Sequence, residues 1–401
     1  MSQGEDVKST QRCLAQLGVH FENYGVPESK TLGLKVNGVG LQGLQAASEP
    51  LDCGNSGTTF RLLMGVLAAQ PFSSQLTGDA SLQRRPMTRV STPLSQLGAQ
   101  FQLTNTHYAP LTIQATAPIS HPLQGGNHTL EVASAQVKSA LLLAGLYTQE
   151  AMTLDGKIQS RDHTEKMLPD FGVSLETTPE HIHLPAHQIL RACDFKVPGD
   201  PSSAAFWLAA AALVPGSDVC IENVSLNPTR IGFFEVLQRM GADIHWTLTA
   251  TQAEPIGKVR LRYAPLNAIQ LREEDIPYLV DEIPLIALLA TQAEGESEIR
   301  GAKELRIKEC DRLAAMRQNL EAMGVTAYVD YEDGFKVTGP QTLNASAWES
   351  FHDHRIAMTG VLAGLIARTG QGSHTVVGAD SIAVSYPEFL KDLETLQTPR
   401  A

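Results

Sequence analysis

Four stretches of this chain combine residue types that handle anions and protons. In Asn55-Ser56-Gly57-Thr58-Thr59-Phe60-Arg61, an amide and small residues stand at the mouth of an apolar run. A helix starting there offers bare N–H groups to an anion, and Gly57 lets a ligand approach the backbone. The same residues are also ordinary helix caps. In Gly78-Asp79-Ala80-Ser81-Leu82-Gln83-Arg84-Arg85-Pro86-Met87, paired arginines precede a proline. A rigid turn of this kind either lies in solvent or aims a guanidinium for bidentate capture of a carboxylate or phosphate. Leu305-Arg306-Ile307-Lys308-Glu309-Cys310-Asp311-Arg312 alternates charge, which reads as a surface helix face laced by ion pairs or as a reactive cluster. Asp353-His354-Arg355 sits directly before the apolar Ile356-Ala357-Met358, a poor place for a charged triplet unless it has a function.

These stretches recur within a larger pattern. Helix starts of one type, a capping residue followed by a long apolar run, open at Asn55, Ser134, Asp200, Asp281 and Asp353. Each is followed by a second signature: an apolar residue, a glycine, then Val or Ala and a strand-like run. Those glycines are Gly18, Gly98, Gly172, Gly241 and Gly324. A period of roughly 65 to 80 residues means one supersecondary unit copied several times. The glycine fits a helix C′ position with positive φ. Val132 to Tyr147 and Ala204 to Val214 are apolar nearly all round and read as buried helices, whereas Arg89 to Leu97 and Thr164 to Phe171 read as amphipathic ones. Thr129 to Val132 and Val219 to Glu222 read as strands. Gly18 has no helix start upstream of it, so the first unit reads as lacking its front.

Composition sets the outer limits. With 43% hydrophobic and 18% charged residues among 401, the chain is a globular protein of about two domains. The boundary falls near Cys193 to Val197, giving domains 1–195 and 196–401. The longest apolar run is too short to span a bilayer, and the opening residues lack a basic region followed by an apolar one, so secretion through a signal peptide is not expected. Five scattered cysteines, with no CxxC and no His at metal-ligand spacing, read as free thiols in the cytoplasm. A net charge of -12 argues against nucleic acid but leaves room for a small anionic substrate.

The segments GNSGTTFRL, GDASLQRRPM, SAQVKSALLLAGL, SRDHTEKML, VPGDPSSAAF, DEIPLIALLA, LRIKECDRL, DHRIAM and YPEFL, in that order, make the chain resemble the 5-enolpyruvylshikimate-3-phosphate synthase family over nearly its whole length. The resemblance implies a two-domain, inside-out α/β barrel of βαβαββ units that closes on substrate like a hinge. Five units here are complete or nearly so, with a truncated first one. The five helix starts are expected to face a single cleft. The reaction implied is transfer of the enolpyruvyl group of phosphoenolpyruvate to the 5-hydroxyl of shikimate 3-phosphate, with release of phosphate. No cofactor or metal is implied, and a monomer is expected.

Carried over by position, Ser134, Gln136, Ser160, Arg161, Asp281 and Lys308 would hold shikimate 3-phosphate. Gly57, Arg85, Gln136, Arg312 and Arg355 would hold phosphoenolpyruvate. Asp281 would contact the attacking hydroxyl, Lys308 both substrates, and Glu309 matches the carboxyl that protonates the methylene carbon. Two departures stand out. The family opens with a strand and a Gly-Asp-Lys-Ser…Arg segment that contacts both substrates, whereas Met1-Ser2-Gln3-Gly4-Glu5-Asp6 matches a later point. The expectation is therefore a chain that turns over slowly or only binds ligand. Val384 stands where some members have lysine. A sister enzyme, UDP-N-acetylglucosamine enolpyruvyl transferase, is implied less well, because none of the five cysteines lies in a matching mobile loop.

Overall fold

The computed structural model describes residues 4–25, 32–116, 123–251, 253–370 and 372–397. Met1, Ser2 and Gln3 of the chain's opening lie outside the described residues. The chain divides into two compact bodies, Met1–Lys196 and Val197–Ala401, each with its own hydrophobic core.

The first body begins with α1 (Glu5–Gln16) and the antiparallel hairpin of β1 (His20–Gly25) and β2 (Leu32–Asn37). A full unit follows: β3 (Leu51–Asp52), α2 (Gly57–Leu67), β4 (Ser74–Thr77), α3 (Thr88–Gln96), β5 (Phe101–Thr104) and β6 (Tyr108–Ile113). Its strands lie in the order β3-β4-β6-β5, parallel across the first pair and antiparallel thereafter. The parallel pair needs a crossover, and α2 supplies it. The same plan repeats with β7 (Gly126–Leu130), α4 (Ala135–Gly145), β8 (Met152–Gly156), α5 (His163–Met167), β9 (Glu176–Thr177) and β10 (His181–Leu184), ordered β7-β8-β10-β9. Small residues let the crossover helices meet closely. A methyl group on Gly65 of α2 would come within 2.1 Å of the Ala140 carbonyl oxygen on α4.

In the second body the plan is repeated with losses. α6 (Pro201–Leu213), β11 (Asp218–Ser225), α7 (Gly232–Arg239), β12 (Asp243–Thr251) and β13 (Pro255–Arg262) form a three-stranded sheet ordered β11-β13-β12. In place of its leading strand there is a lone parallel bridge from Gly199 to Val224. A complete unit follows, made of β14 (Gln270–Leu271), α8 (Ile283–Ala290), β15 (Gly295–Ile299), α9 (Arg312–Ala322), β16 (Tyr328–Tyr331) and β17 (Gly334–Gly339). Its order, β14-β15-β17-β16, matches those of the two full sheets in the first body. The last segment holds the parallel pair of β18 (Ala347–Glu349) and β19 (Thr375–Val377) with α10 (His354–Ile366) and α11 (Phe389–Gln397). Among the described residues, then, three units carry four strands, a fourth carries three and a bridge, and the fifth carries two.

Both sequence signatures have a structural cause. Ser56, Ser134, Asp200 and Asp353 each cap a helix, their side chains accepting N–H bonds from the first turn. Asp281 departs from the pattern. It lies in a 3₁₀ turn, Val280–Glu282, and Glu282 precedes α8 without making a side-chain cap bond. The glycines all have positive φ, from 84° to 101°. At each, the glycine N–H bonds the carbonyl three residues back, and the next N–H reaches five residues back. These paired bonds define the Schellman motif, which a glycine accommodates without a Cβ penalty. The amphipathic span ending at Phe171 yields only the short α5, because Pro169 cannot continue a helix. The strand read at Thr129 to Val132 lies earlier, at Gly126–Leu130.

Candidate active site

In the first body the site is built at the N-termini of α2 and α4, whose caps leave the remaining first-turn N–H groups facing outward. Gly57 is the first residue of α2. A Cβ there would stand 3.3 Å from Nη1 of Arg85 and 3.8 Å from Nη1 of Arg61, so two guanidinium groups flank bare backbone. Arg85 is buried. It donates to the Asn55 side-chain oxygen at 2.7 Å, to the Asn55 carbonyl at 3.3 Å and to Ser81 Oγ at 3.2 Å. Arg61 donates to the Gln136 amide oxygen, and Gln136 donates to Thr58 Oγ1 at 3.0 Å. Gln136 thus ties the mouths of the two helices together. Ser134 caps α4 through Val137 N–H at 3.5 Å.

Ser160 and Arg161 lie half-buried on the loop after β8. A buried lysine holds that loop from beneath. Lys138 of α4 donates to the carbonyls of Ile158 at 3.0 Å and Ser160 at 3.4 Å, and pairs with Glu165 at 2.6 Å. Burial raises the Glu165 pKa, and the attraction of Lys138 opposes the rise.

In the second body the cluster forms around Arg312, the first residue of α9. Its side chain is 2% exposed and bonds three carboxylates. Nε reaches Asp353 at 2.7 Å, Nη1 reaches Asp281 at 3.2 Å, and Nη2 reaches Glu309 at 2.5 Å. Burial disfavours the guanidinium charge, but Asp353, Glu309 and Asp281 outweigh it and hold Arg312 protonated. Arg355, on the first turn of α10, stands 3.8 Å from the other Asp281 oxygen and 3.6 Å from Glu282. Asp281 therefore lies between two arginines. Arg230 joins the rim, donating to Asp200 at 2.7 Å. Although its side chain is 46% exposed, Asp200 is pulled down to about 2 in pKa. Desolvation opposes that change, and the nearby Arg230 and Arg355 outweigh it. Lys308 lies 3.8 Å from Glu304, a loose contact that leaves its ammonium adjustable. Burial pushes the Cys310 thiol up, aided by Asp353, and the thiol leans on that carboxylate at 3.7 Å. His354 is buried beside them, and desolvation lowers its pKa to about 4, so it is neutral near pH 7.

The expected site residues thus fall into two constellations, each within one body. Gly57, Arg85, Ser134, Gln136, Ser160 and Arg161 belong to the first, and Asp281, Lys308, Glu309, Arg312 and Arg355 to the second. The charged run from Leu305 to Arg312 does not sit on one helix face: residues Lys303–Ile307 form a 3₁₀ turn, and α9 starts afresh at Arg312 with Asp311 as its cap. Val384 ends a 3₁₀ turn, Ala379–Val384, half-buried. Sequence reasoning missed Arg61, Lys138, Glu165, Arg230, Glu282 and the Asp353 carboxylate as a partner of Arg312. One signal was available: Lys138 is a lone charge in an otherwise apolar helix, a sign of a buried ion pair. Among the described residues no group of three or more His, Cys, Asp or Glu is placed to hold a metal ion, and no helix is long and apolar enough to cross a membrane.

Repeated βαβαββ units with arginines at helix mouths define an α/β protein equipped for small anions. The comparisons give the family. The profile described as EPSP synthase (3-phosphoshikimate 1-carboxyvinyltransferase) matches residues 1–393. A 3-phosphoshikimate 1-carboxyvinyltransferase of Chloroflexus aurantiacus is 45% identical over 400 residues, covering 98% of this chain and 89% of the relative. One of Prochlorococcus marinus is also 45% identical, over 98% of this chain and 87% of its own. A solved EPSP synthase from Acinetobacter baumannii superposes with TM-score 0.83 at 38% identity, covering 98% of this chain and 88% of that one. The enolpyruvyl transferase NikO from Streptomyces tendae shares the fold, with TM-score 0.73 at 18% identity and coverage of 98% and 87%. The chain belongs to the EPSP synthase family. The expectation of a missing front, and of slow turnover on its account, gains no support from these matches.

Proposed function

We propose that this chain transfers the enolpyruvyl group of phosphoenolpyruvate to the 5-hydroxyl of shikimate 3-phosphate, releasing phosphate. Family membership supports the reaction. The observation that carries the chemistry is the placement of Asp281 between Arg312 and Arg355, with Glu309 on the same arginine.

A hydroxyl adding to the enol carbon must lose a proton, and the methylene carbon must gain one. Two carboxyl groups in different settings divide these tasks. Asp281 receives the hydroxyl proton, and Glu309 delivers one to the methylene carbon, giving a tetrahedral adduct, with Lys308 beside it balancing charge. The methyl group so formed then returns a proton to Glu309 as the bond from the same central carbon to phosphate breaks, which restores the double bond and releases phosphate. Both substrates are anions, so guanidinium groups and helix N-termini hold them. Arg312, Arg355, Arg85 and the open backbone at Gly57 suit phosphoenolpyruvate. Ser134, Ser160 and Arg161 suit the shikimate phosphate, with Lys308 and Asp281 at its hydroxyls, and Gln136 serves both substrates. The catalyst is read as a monomer in the cytoplasm, and the five cysteines, all free thiols, support the reducing compartment.

The deciding experiment is phosphate release. It should require both phosphoenolpyruvate and shikimate 3-phosphate, stop with either one omitted, and yield an enolpyruvyl ether by mass. Release with UDP-N-acetylglucosamine in place of shikimate 3-phosphate, or no release with the proper pair, would overturn the reading. Light scattering tests the monomer.

A further inference from the structure

Arg306 stands two residues before Lys308 and three before Glu309, and its contacts go elsewhere. Nε donates to the Glu332 carbonyl at 2.7 Å. Nη1 donates to both Asp311 oxygens, at 3.0 and 3.3 Å. Nη2 donates to Asp330 at 3.2 Å and to the Tyr331 carbonyl at 2.6 Å. All three guanidinium nitrogens are engaged, and apart from Asp311 these partners lie at the end of β16 (Asp330, Tyr331) and in the turn that follows it (Glu332).

Asp311 has a second task. One of its oxygens accepts the Ala314 N–H at 3.0 Å and so caps α9, the helix that Arg312 opens. Arg306 therefore closes a ring: it binds the residue five positions on, that residue starts the helix, and Lys308 and Glu309 lie on the arc between. The ring is fastened to a stiff base. Asp333, on the same turn, accepts from Arg300 Nε at 2.9 Å and from Gly301 N–H at 3.0 Å, and Lys303 pairs with Glu332. Neither end of the arc is free to drift. A planar fork with five donors makes such a joint, and an ammonium, a point charge, does not.

We infer that Arg306 is a positioning residue, fixing the arc that presents Lys308 and Glu309 by clamping Asp311 to the end of β16 and the turn after it. The inference rests on the roles proposed above for Lys308 and Glu309. A misplacement of about 1 Å in reacting groups costs about a hundredfold in rate, so the clamp's effect should appear in kcat before it appears in binding.

The test uses the full chain with Arg306→Lys, which keeps the charge and loses the fork. Asp311→Asn is the second variant. Asparagine caps a helix about as well as aspartate but gives up the ion pair, so it loosens the clamp if Arg306→Lys does not fold. Two readouts are needed: kinetics of phosphate release, and hydrogen exchange of the backbone amides of residues 307–310. Expected are at least a tenfold loss of kcat with KM for both substrates within threefold, and at least tenfold faster exchange of those amides. In a Lys308→Ala or a Glu309→Ala background, Arg306→Lys should cost less in kcat in at least one of the two, because one of the groups it positions is gone. Unchanged exchange, or faster exchange with unchanged kcat, overturns the inference. So does a kcat loss equally large in the unmodified chain and in both backgrounds, which marks a purely structural joint. Failure of the proposed reaction is seen separately, as absence of phosphate release in the unmodified chain, and the exchange readout still decides whether Arg306 holds the arc.

Discussion

Lys138→Met should destabilise this protein strongly, and by an amount that depends on pH. The side chains of Lys138 and Glu165 are 2% and 4% exposed and 2.6 Å apart. The substitution removes the cation and leaves the Ile158 and Ser160 carbonyls without their lysine donor. Glu165 already has one buried oxygen, Oε2, without a hydrogen-bond partner. Stripping one member from a buried pair costs about 3–5 kcal/mol, because the other charge stays buried and uncompensated. The sign with pH follows from the raised Glu165 pKa. A carboxyl raised on folding contributes stability that is fully present below its unfolded pKa and lost as pH rises through the folded one. Removing Lys138 takes away the attraction that opposed the rise, so the folded pKa moves higher and the loss at neutral pH deepens. Urea unfolding should therefore show a deficit that is smaller near pH 5, where the lost donors to the two carbonyls remain as its main cause, and that reaches several kcal/mol near pH 8. Replacing both partners, Lys138→Met with Glu165→Leu, should recover most of it. A deficit below about 1 kcal/mol at pH 8, or one equal at both pH values, would refute the reasoning.

Gly57→Ala should raise KM for phosphoenolpyruvate several-fold with little change in thermal stability, since the new methyl meets Arg85 at 3.3 Å at the helix mouth. Unchanged KM would detach Gly57 from that ligand. Arg355→Ala should weaken protection by phosphoenolpyruvate more than protection by shikimate 3-phosphate in thermal-shift titrations, by about 1–3 kcal/mol for a charge-assisted contact. An equal loss for both ligands removes the assignment. A thiol reagent applied to the native protein should label Cys193 and Cys220, which are exposed, well before Cys13 and Cys53, which are buried. Cys310 should also lag, because burial and Asp353 keep its thiol protonated. Equal labelling rates for all five would contradict the packing.

Helix ends were the most legible part of this sequence, because both of their signals are local. A cap needs one polar side chain and a Schellman end needs one glycine, and four copies of the first and five of the second left a visible rhythm. Where a local rule failed, a distant partner was the cause. Asp281 stands in the series of capping residues, but its carboxylate goes to Arg312, thirty-one positions on. Arg306 reads as part of a charged surface face, yet its guanidinium directs most of its donors to β16 and the turn after it, more than twenty residues away. Leading strands of two residues, such as β3 and β14, are too short to show alternation and exist only through their pairing. The candidate site was legible as residue types on quoted motifs. Its internal wiring was not, since no spacing announces that Lys138 will meet Glu165 or that Asp353 will meet Arg312.

The seat of Asp281 between two guanidinium groups has a consequence for the order of events. This carboxylate is one of three that pair with Arg312 and one of two near Arg355, and it alone stands by both. On the roles proposed above, a phosphate or carboxylate ligand at those arginines competes with it for their donors. Docking is then an exchange of partners, and weakly coordinating anions gain little from it. On that reading, an anionic substrate at the arginines frees Asp281 from a structural pairing and leaves its carboxylate available to the hydroxyl of the second substrate.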